Sequence, residues 1–244
     1  MQRFIIALGT GLLAGCTVTL APHTPYLPVL RGRGEAEARV GTGIGGSEVQ
    51  LGYQATDRLV LHTGLLSYGR RAAGTYFRSA DAGAGYYYPF PNGRWRLGLH
   101  AGLAYGSGTS GGNGCFECGN SSFSKFDVRY AYAYVQPTVL LLEDARCTWG
   151  LAVMVGQTYY SRLDELRTNP ATGQVLFSAH GGHTSTFVQP IFQFSYQARR
   201  WLTLSTKVGS QRFVGPPERL NATGQLVAQA GLHFVVGPRA ARRP

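Results

Sequence analysis

Two side chains capable of proton transfer, Asp81 and His100, fall on neighbouring extended segments of this 244-residue chain. A carboxylate and an imidazole can act as an acid–base pair when they lie within hydrogen-bonding distance. Counting from the turn signal Asn92-Gly93 places them within about two residues of register, both on the polar side of their segments. Asp81 and His100 are therefore a candidate catalytic pair. An inner ion-pair or hydrogen-bonded network that serves the structure alone is the preferred interpretation.

A second candidate lies in a stretch rich in Gly, Asn and Ser, where Cys115 and Cys118 are separated by two residues. In an oxidising compartment such a pair predicts a small disulfide that pins a loop. A redox motif would need a helix to lower the pKa of one thiol. A zinc site would need a second pair of ligands. Neither is evident, so the metal and redox alternatives stay open as minor ones.

Two histidines, His180 and His183, flank a Gly-Gly pair in a long polar stretch. Imidazoles are common metal ligands, but zinc sites require at least three protein ligands in a fixed arrangement. No third ligand stands at a suitable spacing, and Gly-Gly gives poor preorganisation. We therefore expect a polar loop here and no metal site.

The run Gly41 to Gly46 satisfies the pattern G-x-G-x-x-G. A dinucleotide site requires that such a run open a helix whose N-terminus holds the pyrophosphate. The following residues, 47–53, instead alternate between polar and apolar as a strand does. The run predicts a hairpin, and we expect no cofactor.

Residues 94–105 show the pattern that must position these side chains, because every second one is apolar or aromatic. Successive side chains of a strand point to opposite faces, so this stretch predicts a strand with one apolar and one polar wall. Similar segments recur along the chain. About ten strands are expected, at 35–43, 47–56, 59–68, 75–88, 95–106, 123–141, 148–160, 184–197, 201–212 and 224–236.

The connections alternate between short turns and mostly longer polar stretches, which is typical of membrane-spanning barrels with an even strand number. The fold predicted is an all-β, antiparallel, transmembrane up-and-down β-barrel of about ten strands, with eight as the alternative. Charges belong inside such a barrel. The inward set is Glu48, Gln50, Gln54, Asp81, Lys125, Asp127, Arg129, Gln189, Gln193, Lys207, Gln229 and His233; the lipid-facing set is Val49, Leu51, Tyr53, Val128, Tyr130, Tyr132, Leu202, Leu204, Leu226, Leu232 and Phe234.

The first residues have the layout of a bacterial export signal, with Arg3 followed by an apolar run and small residues. Leu13-Ala14-Gly15-Cys16 resembles a lipobox, the processing site of bacterial lipoproteins. The resemblance implies removal of residues 1–15 and acylation of Cys16. An ordinary signal peptide with an incidental cysteine is the alternative.

Residues 16–34 contain Pro22, Pro25 and Pro28, which cannot donate a backbone hydrogen bond to a sheet. This part of the chain is expected to be an extended, lipidated tether and not a strand. The barrel is expected over 35–237, followed by a basic tail at 238–244.

By its pattern and turn order, the chain over 35–237 resembles the small outer-membrane β-barrel proteins of Gram-negative bacteria. The resemblance implies an outer-membrane location, with both termini in the periplasm, but supplies no catalytic residue. The net charge of +11 favours contact with anionic membrane lipid, including lipopolysaccharide. The sequence shows no basic stripe interleaved with aromatic residues, so nucleic-acid binding is not expected. No protein partner is identified.

The sequence is compatible with three functions. The leading one is a non-enzymatic barrel with a structural, surface-interaction or weak pore-forming role. The second is a lipid- or peptide-modifying envelope enzyme that uses Asp81 and His100. The third is a soluble, lipid-anchored barrel that carries an apolar ligand inside, which would place the polar wall outside.

Overall fold

The computed structural model describes residues 23–44, 46–70, 74–91, 93–113, 123–142, 146–169, 172–214 and 225–237. The predicted signal peptide, Cys16, the Cys115–Cys118 pair and the basic tail lie outside these residues. No helix among the described residues is long and apolar enough to cross a membrane. The strands are β1 (Ala36–Gly43), β2 (Gly46–Gln54), β3 (Leu59–Arg70), β4 (Thr75–Pro89), β5 (Trp95–Asn113), β6 (Phe123–Leu142), β7 (Cys147–Thr168), β8 (Val175–Ala179), β9 (His183–Arg199), β10 (Leu202–Val214) and β11 (Gln225–Val236).

Ten of these strands close into an antiparallel barrel. Neighbours in sequence pair with one another, β1 pairs with β11, and β7 pairs with both β6 and β9. Strand β8 lies outside this cycle and pairs with the last residues of β7. Closure leaves no unpaired edge around the ring. The predicted ten-stranded up-and-down barrel is confirmed.

The connections fall into two sets at opposite ends of the barrel. We call the end with the short connections near residues 55–58, 90–94, 143–146 and 200–201 the turn end, and the opposite end the loop end. Both β1 and β11 have their outer termini at the turn end. At the loop end the predicted first hairpin is present, with Gly46 in the positive-φ conformation (98°) that glycine adopts readily.

Several strands run further toward the loop end than the sequence pattern predicts. Strand β5 continues to Asn113 and β7 to Thr168, and β8 lies within a stretch expected to be loop. These extensions are polar or rich in small residues, so they lack the apolar alternation of a membrane-facing strand. Backbone pairing continues the ladder there, and Leu163 of the β7 extension joins the buried side chains.

The outer wall carries the apolar side chains. The predicted lipid-facing residues Val49, Leu51, Tyr53, Leu204 and Leu232 are all between 40% and 48% exposed, as is expected of side chains that face away from the lumen. Leu103 reaches 68% exposure. The exposed aromatics lie toward the two ends, at Tyr53, Tyr86, Tyr88, Trp95 and Trp201 near the turn end and Tyr76, Tyr105 and Tyr159 near the loop end.

The inner wall is polar, as predicted, over most of the circumference. The buried residues of the predicted inward set are Glu48, Gln50, Gln54, Asp81, Gln189, Gln193, Lys207, Gln229 and His233. A charged side chain that faced lipid would be costly. The buried charged residues of this set instead point into the lumen.

On β6 the predicted wall assignment is wrong. Lys125 and Arg129 are exposed, whereas Val128, Tyr130 and Tyr132 are at most 4% exposed and point inward. In this strand charged and apolar residues alternate, so polarity alone does not identify the inner side. The tyrosines fill the lumen, and the charges lie on the outer face near the loop end.

Two groups of side chains occupy the lumen. Near the loop end a buried aromatic layer is formed by Phe77, Tyr130, Tyr132, Tyr160, Phe187 and Phe213. Toward the turn end the lumen contains residues 23–34, which we call the N-terminal segment. Its Tyr26, Leu27 and Leu30 are at most 3% exposed and pack among side chains of the wall, including Val60, Tyr87 and Ile191.

Candidate functional site

The N-terminal segment has no strand, as its prolines predict, but it does not lie outside the barrel: it threads the lumen. It joins β1 at the turn end, where Leu30 O accepts a hydrogen bond from Arg96 at 3.2 Å. Its first described residue, His23, reaches the loop-end halves of β2 and β4, where it meets Glu48 and Ser79. The polar lumen is therefore occupied by the chain itself.

Wall side chains satisfy the backbone of this segment one group at a time. Amide donors from three strands bind three of its carbonyls: Gln50 Nε2 to Thr24 O at 2.7 Å, Gln136 Nε2 to Tyr26 O at 2.8 Å and Gln193 Nε2 to Leu27 O at 3.3 Å. An extended chain without strand partners needs such acceptors and donors when it is buried. Pro25 and Pro28 have no N–H, which reduces the number of donors to be satisfied.

Carboxylates accept the donors of the segment. Glu48 binds the Thr24 N–H at 3.2 Å and the His23 ring at 3.0 Å, and its other oxygen accepts the Thr24 hydroxyl. Glu37 accepts the Tyr26 hydroxyl and the Val29 N–H, the latter at 3.1 Å. Two buried carboxylates of the wall thus hold the segment at two levels.

Buried cations complete this arrangement. Lys207 Nζ donates to Pro25 O at 2.7 Å and to Gln50 Oε1 at 3.3 Å. Arg39 donates to Gln50 Oε1 at 3.0 Å, and its guanidinium lies 3.5 Å from Glu48. Buried charges persist only when they are paired and hydrogen-bonded. The cations and carboxylates of the lumen meet that requirement through one another and through the segment.

The predicted pair of Asp81 and His100 does not form. Asp81 pairs in register with Ala104 and His100 with Gly85, four positions apart instead of about two. The observed pairs are symmetric about positions 92 and 93, so the turn was the correct reference. The spacing of about two residues was a miscount from it, because a strand count from this turn places Asp81 opposite Ala104. His100 Nε2 meets the Tyr87 hydroxyl at 2.5 Å. Asp81 accepts the Tyr134 hydroxyl at 3.1 Å.

A further histidine, His62, which the sequence did not single out as a partner, lies between Asp81 and His100. His62 is 3.8 Å from the Asp81 carboxylate, and its ring centroid is 5.4 Å from that of His100. The ring of Tyr26 stacks on His62 at 4.7 Å. The histidines therefore line the pocket that holds Tyr26, where a substrate would have to displace the N-terminal segment.

The two loop histidines do not come together on a shared ligand set. His180 meets Asp164 and Ser178 on the outer face of the loop end, with distances of 3.0 and 3.1 Å. His183 begins β9. Within the part of the chain that the structure describes, no group of three or more His, Cys, Asp or Glu side chains could hold a metal ion.

No protein-family model and no curated protein matches the chain. Similar solved structures include the outer membrane protease OmpT from Escherichia coli, with 10% identity over 82% of this chain and 90% of that chain, at a TM-score of 0.47. The translocator domain of the autotransporter NalP from Neisseria meningitidis has 11% identity over 96% and 94% of the two chains, at a TM-score of 0.43. The N-terminal β-barrel domain of Pseudomonas aeruginosa OprF has 12% identity over 84% and 99%, at a TM-score of 0.35. At such values the likeness does not assign a function.

Proposed function

We propose that this protein is a bacterial outer-membrane β-barrel whose lumen is closed by its own N-terminal segment, and that it serves a structural and surface-contact role. The turn end faces the periplasm and the loop end faces outward. The partner of its outer wall is membrane lipid, including lipopolysaccharide. The observation that carries the proposal is the path of residues 23–34 through the barrel.

The outer wall supports the membrane location. Large apolar side chains such as Leu65 and Leu99 are 63% and 59% exposed, and they recur on strand after strand. Contiguous apolar surface of this extent is unfavourable in water and suited to lipid. A soluble barrel that carries an apolar ligand would need the opposite arrangement, because its apolar side chains would line the lumen. The buried polar wall argues against that alternative.

The contents of the lumen argue against an open pore. The N-terminal segment fills the part nearer the turn end, and the buried aromatic layer fills the part nearer the loop end. Barrels of about this strand number fill their interior with side chains, whereas much wider barrels leave an aqueous channel. Of the structural, surface-interaction and weak pore-forming roles expected from the sequence, the pore-forming role is therefore the least favoured.

The inner polar residues are assigned to structure and not to catalysis. His100 and Asp81 contact Tyr87 and Tyr134 of the wall, and His23 of the segment lies 3.5 Å from the Asp81 carboxylate. A general base needs access to the proton it removes. In this lumen the neighbouring space is occupied by Tyr26 and His23.

Lipidation of Cys16 and removal of residues 1–15 belong to the same proposal. Six residues lie between Cys16 and His23, which makes seven steps along the chain. An extended chain spans at most about 3.6 Å per residue, so an acyl anchor lies within roughly 25 Å of His23. This reach limits where the lipidated end meets the bilayer.

Bilayer conductance tests the closed lumen. The purified full-length protein, reconstituted into planar bilayers, is expected to give no stepwise conductance above the lipid baseline, because two layers of packed side chains block the path. A matched measurement uses the chain lacking residues 23–30, which is expected to give larger current fluctuations. Regular, ohmic openings of the intact protein would contradict the closed lumen.

A further inference from the structure

Three side chains on the outer face of the loop end form an arrangement that the interior network does not use. His180 Nε2 lies 3.1 Å from the Ser178 hydroxyl, and His180 Nδ1 lies 3.0 Å from Asp164 Oδ1. The two ring nitrogens of one histidine thus face a hydroxyl and a carboxylate. A nucleophile, a base and a group that orients the base are arranged in this order in serine hydrolases on unrelated folds.

Strand pairing places these three side chains on one face. Leu166 pairs with Ser178 and Glu165 with Ala179, so the position of β7 opposite His180 is Asp164. Ser178 and His180 are two residues apart and therefore point to the same side of the sheet. The proximity of the serine, the histidine and the aspartate is thus set by backbone register and not by side-chain rotation alone.

A bulge in β7 directs Asp164 outward. Arg129 of β6 pairs with Arg162, while the next residue, Tyr130, pairs with Tyr160, so Ser161 is an extra residue. Below the bulge the even-numbered residues of β7 point inward, and above it they point outward. Such bulges re-aim side chains at the rims of barrels and next to active sites.

The orientation of the carboxylate is fixed from its other side. Arg162 donates through Nε to Asp164 Oδ2 and contacts Asp127 Oδ2 at 3.2 Å through Nη2. The hydrogen bond from His180 and the neighbouring Arg162 hold the pKa of the Asp164 carboxyl below its ordinary value. The group is therefore a carboxylate at neutral pH and can hold the Nδ1–H tautomer of His180.

We propose that Ser178, His180 and Asp164 are the catalytic residues of a hydrolase that cleaves acyl esters at the outer surface. The Ser178 hydroxyl attacks the ester carbonyl carbon while His180 takes its proton. The carbon–oxygen bond to the alcohol breaks, and His180 returns the proton to the leaving alcohol. Water, deprotonated by His180, then releases the fatty acid from acyl-Ser178. The net reaction is ester plus water to acid plus alcohol.

The surroundings select an anionic lipid as the substrate class. Tyr159 is an exposed side chain of the outer wall, and its hydroxyl lies 3.8 Å from the position that a Cβ on Gly182 would occupy, two residues after His180. On the neighbouring strand Lys125 and Arg129 are exposed. The acyl chain of a bound lipid would lie along the apolar wall, and the phosphate of the same lipid would contact these two cations. This choice of substrate rests on the membrane location proposed above.

Covalent labelling and a soluble ester test the catalytic residues without requiring a membrane. The refolded full-length protein in detergent is expected to react with a fluorophosphonate at Ser178 and to hydrolyse p-nitrophenyl esters. Ser178→Ala and His180→Gln should each lower the hydrolysis rate by about 10³-fold. The matched controls Ser67→Ala and His183→Gln, at other exposed positions, should retain it. Absence of labelling, or full activity of Ser178→Ala in a correctly folded barrel, would overturn the proposal.

Defined lipids then test the substrate class and its source. Phosphatidylglycerol vesicles and purified lipopolysaccharide are presented separately, and released fatty acid is measured by mass spectrometry. Fatty acid release from either supports an anionic acyl ester, and the arm that responds identifies the source. Hydrolysis of the soluble ester with no release from either lipid would overturn the lipid assignment, while the catalytic residues would stand. Failure of the soluble-ester assay would leave the membrane location untouched, so the two failures are distinguishable.

Discussion

Glu48 accepts hydrogen bonds from Thr24 and His23 of the N-terminal segment and lies beside Arg39 of the wall. A buried carboxylate with so many partners is stable only while all of them stay in place. Removing one side of such a pair usually costs more than the pair contributes. At the residue scale, the wall and the segment therefore depend on each other.

Gly52 shows how closely the segment fits the wall. A Cβ at this position would lie 1.7 Å from the Tyr26 hydroxyl oxygen and 2.6 Å from the ring carbon that bears it. Replacement by any other residue forces the ring of Tyr26 away from Glu37, its hydrogen-bond partner. Glycine is required here by the close approach and not by backbone conformation.

Gly52→Ala is expected to destabilise the barrel by about 1–3 kcal/mol, the usual cost of overpacking. Denaturant unfolding in lipid vesicles measures the change. In a Tyr26→Ala background the extra methyl group has room, so the cost should disappear. Gly69→Ala, at an exposed position where a Cβ meets nothing closer than 4.0 Å, is the control. An equal cost in both backgrounds would show that Tyr26 does not occupy this place.

Sequence alternation predicted most inner residues correctly, including Glu48, Gln50 and Lys207, because a polar side chain among apolar neighbours has a clear preferred side. It failed on β6, where tyrosines and charged residues alternate. Either kind of side chain can lie on the inner or the outer face there, so the alternation does not identify the inner side. It also could not place the N-terminal segment. A proline-rich stretch has no periodicity that would reveal its environment.

At the scale of elements, the bulge at Ser161 explains why the sequence did not predict the proximity of Ser178, His180 and Asp164. Simple alternation along β7 would place Asp164 on the inner wall, away from His180. The sequence marked His180 only as a possible metal ligand, and Ser178 lies in a stretch expected to be loop. One extra residue and one short added strand bring the three together.

Deleting single residues of β7 distinguishes the extra residue of the bulge from a residue that is paired regularly in the sheet. Deleting Ser161 is expected to leave the barrel folded, because the pairs on either side of it already follow a regular antiparallel order. Deleting Ala152, a buried residue of the same strand nearer the turn end, should prevent folding, since all residues between it and the bulge would have to exchange their inner and outer faces. A compact, fast-migrating band in unboiled dodecyl sulfate gels reports the fold. Loss of that band in both deletions would contradict the assignment of Ser161 as the extra residue.

For the molecule as a whole, two faces of one sheet carry different tasks. The outer face presents apolar side chains to lipid, and the inner face binds an extended segment of the same chain through amide, carboxylate and ammonium groups. The sequence predicted the ten strands and their closure, because turn signals and period-two alternation are local properties. That the N-terminal segment fills the lumen depends on contacts between residues far apart in the sequence, and no local pattern predicts such contacts.

The most direct test of the occupied lumen is the reactivity of single cysteines in a chain whose native cysteines are replaced by serine. Leu27→Cys places the thiol at a position 1% exposed in the lumen, and Arg33→Cys places it at an exposed position of the same segment. With a polar maleimide on the folded, reconstituted protein, Cys at 33 is expected to react and Cys at 27 to stay unmodified until the barrel is unfolded by boiling in dodecyl sulfate. Equal reactivity at both positions in the folded barrel would contradict the closed lumen.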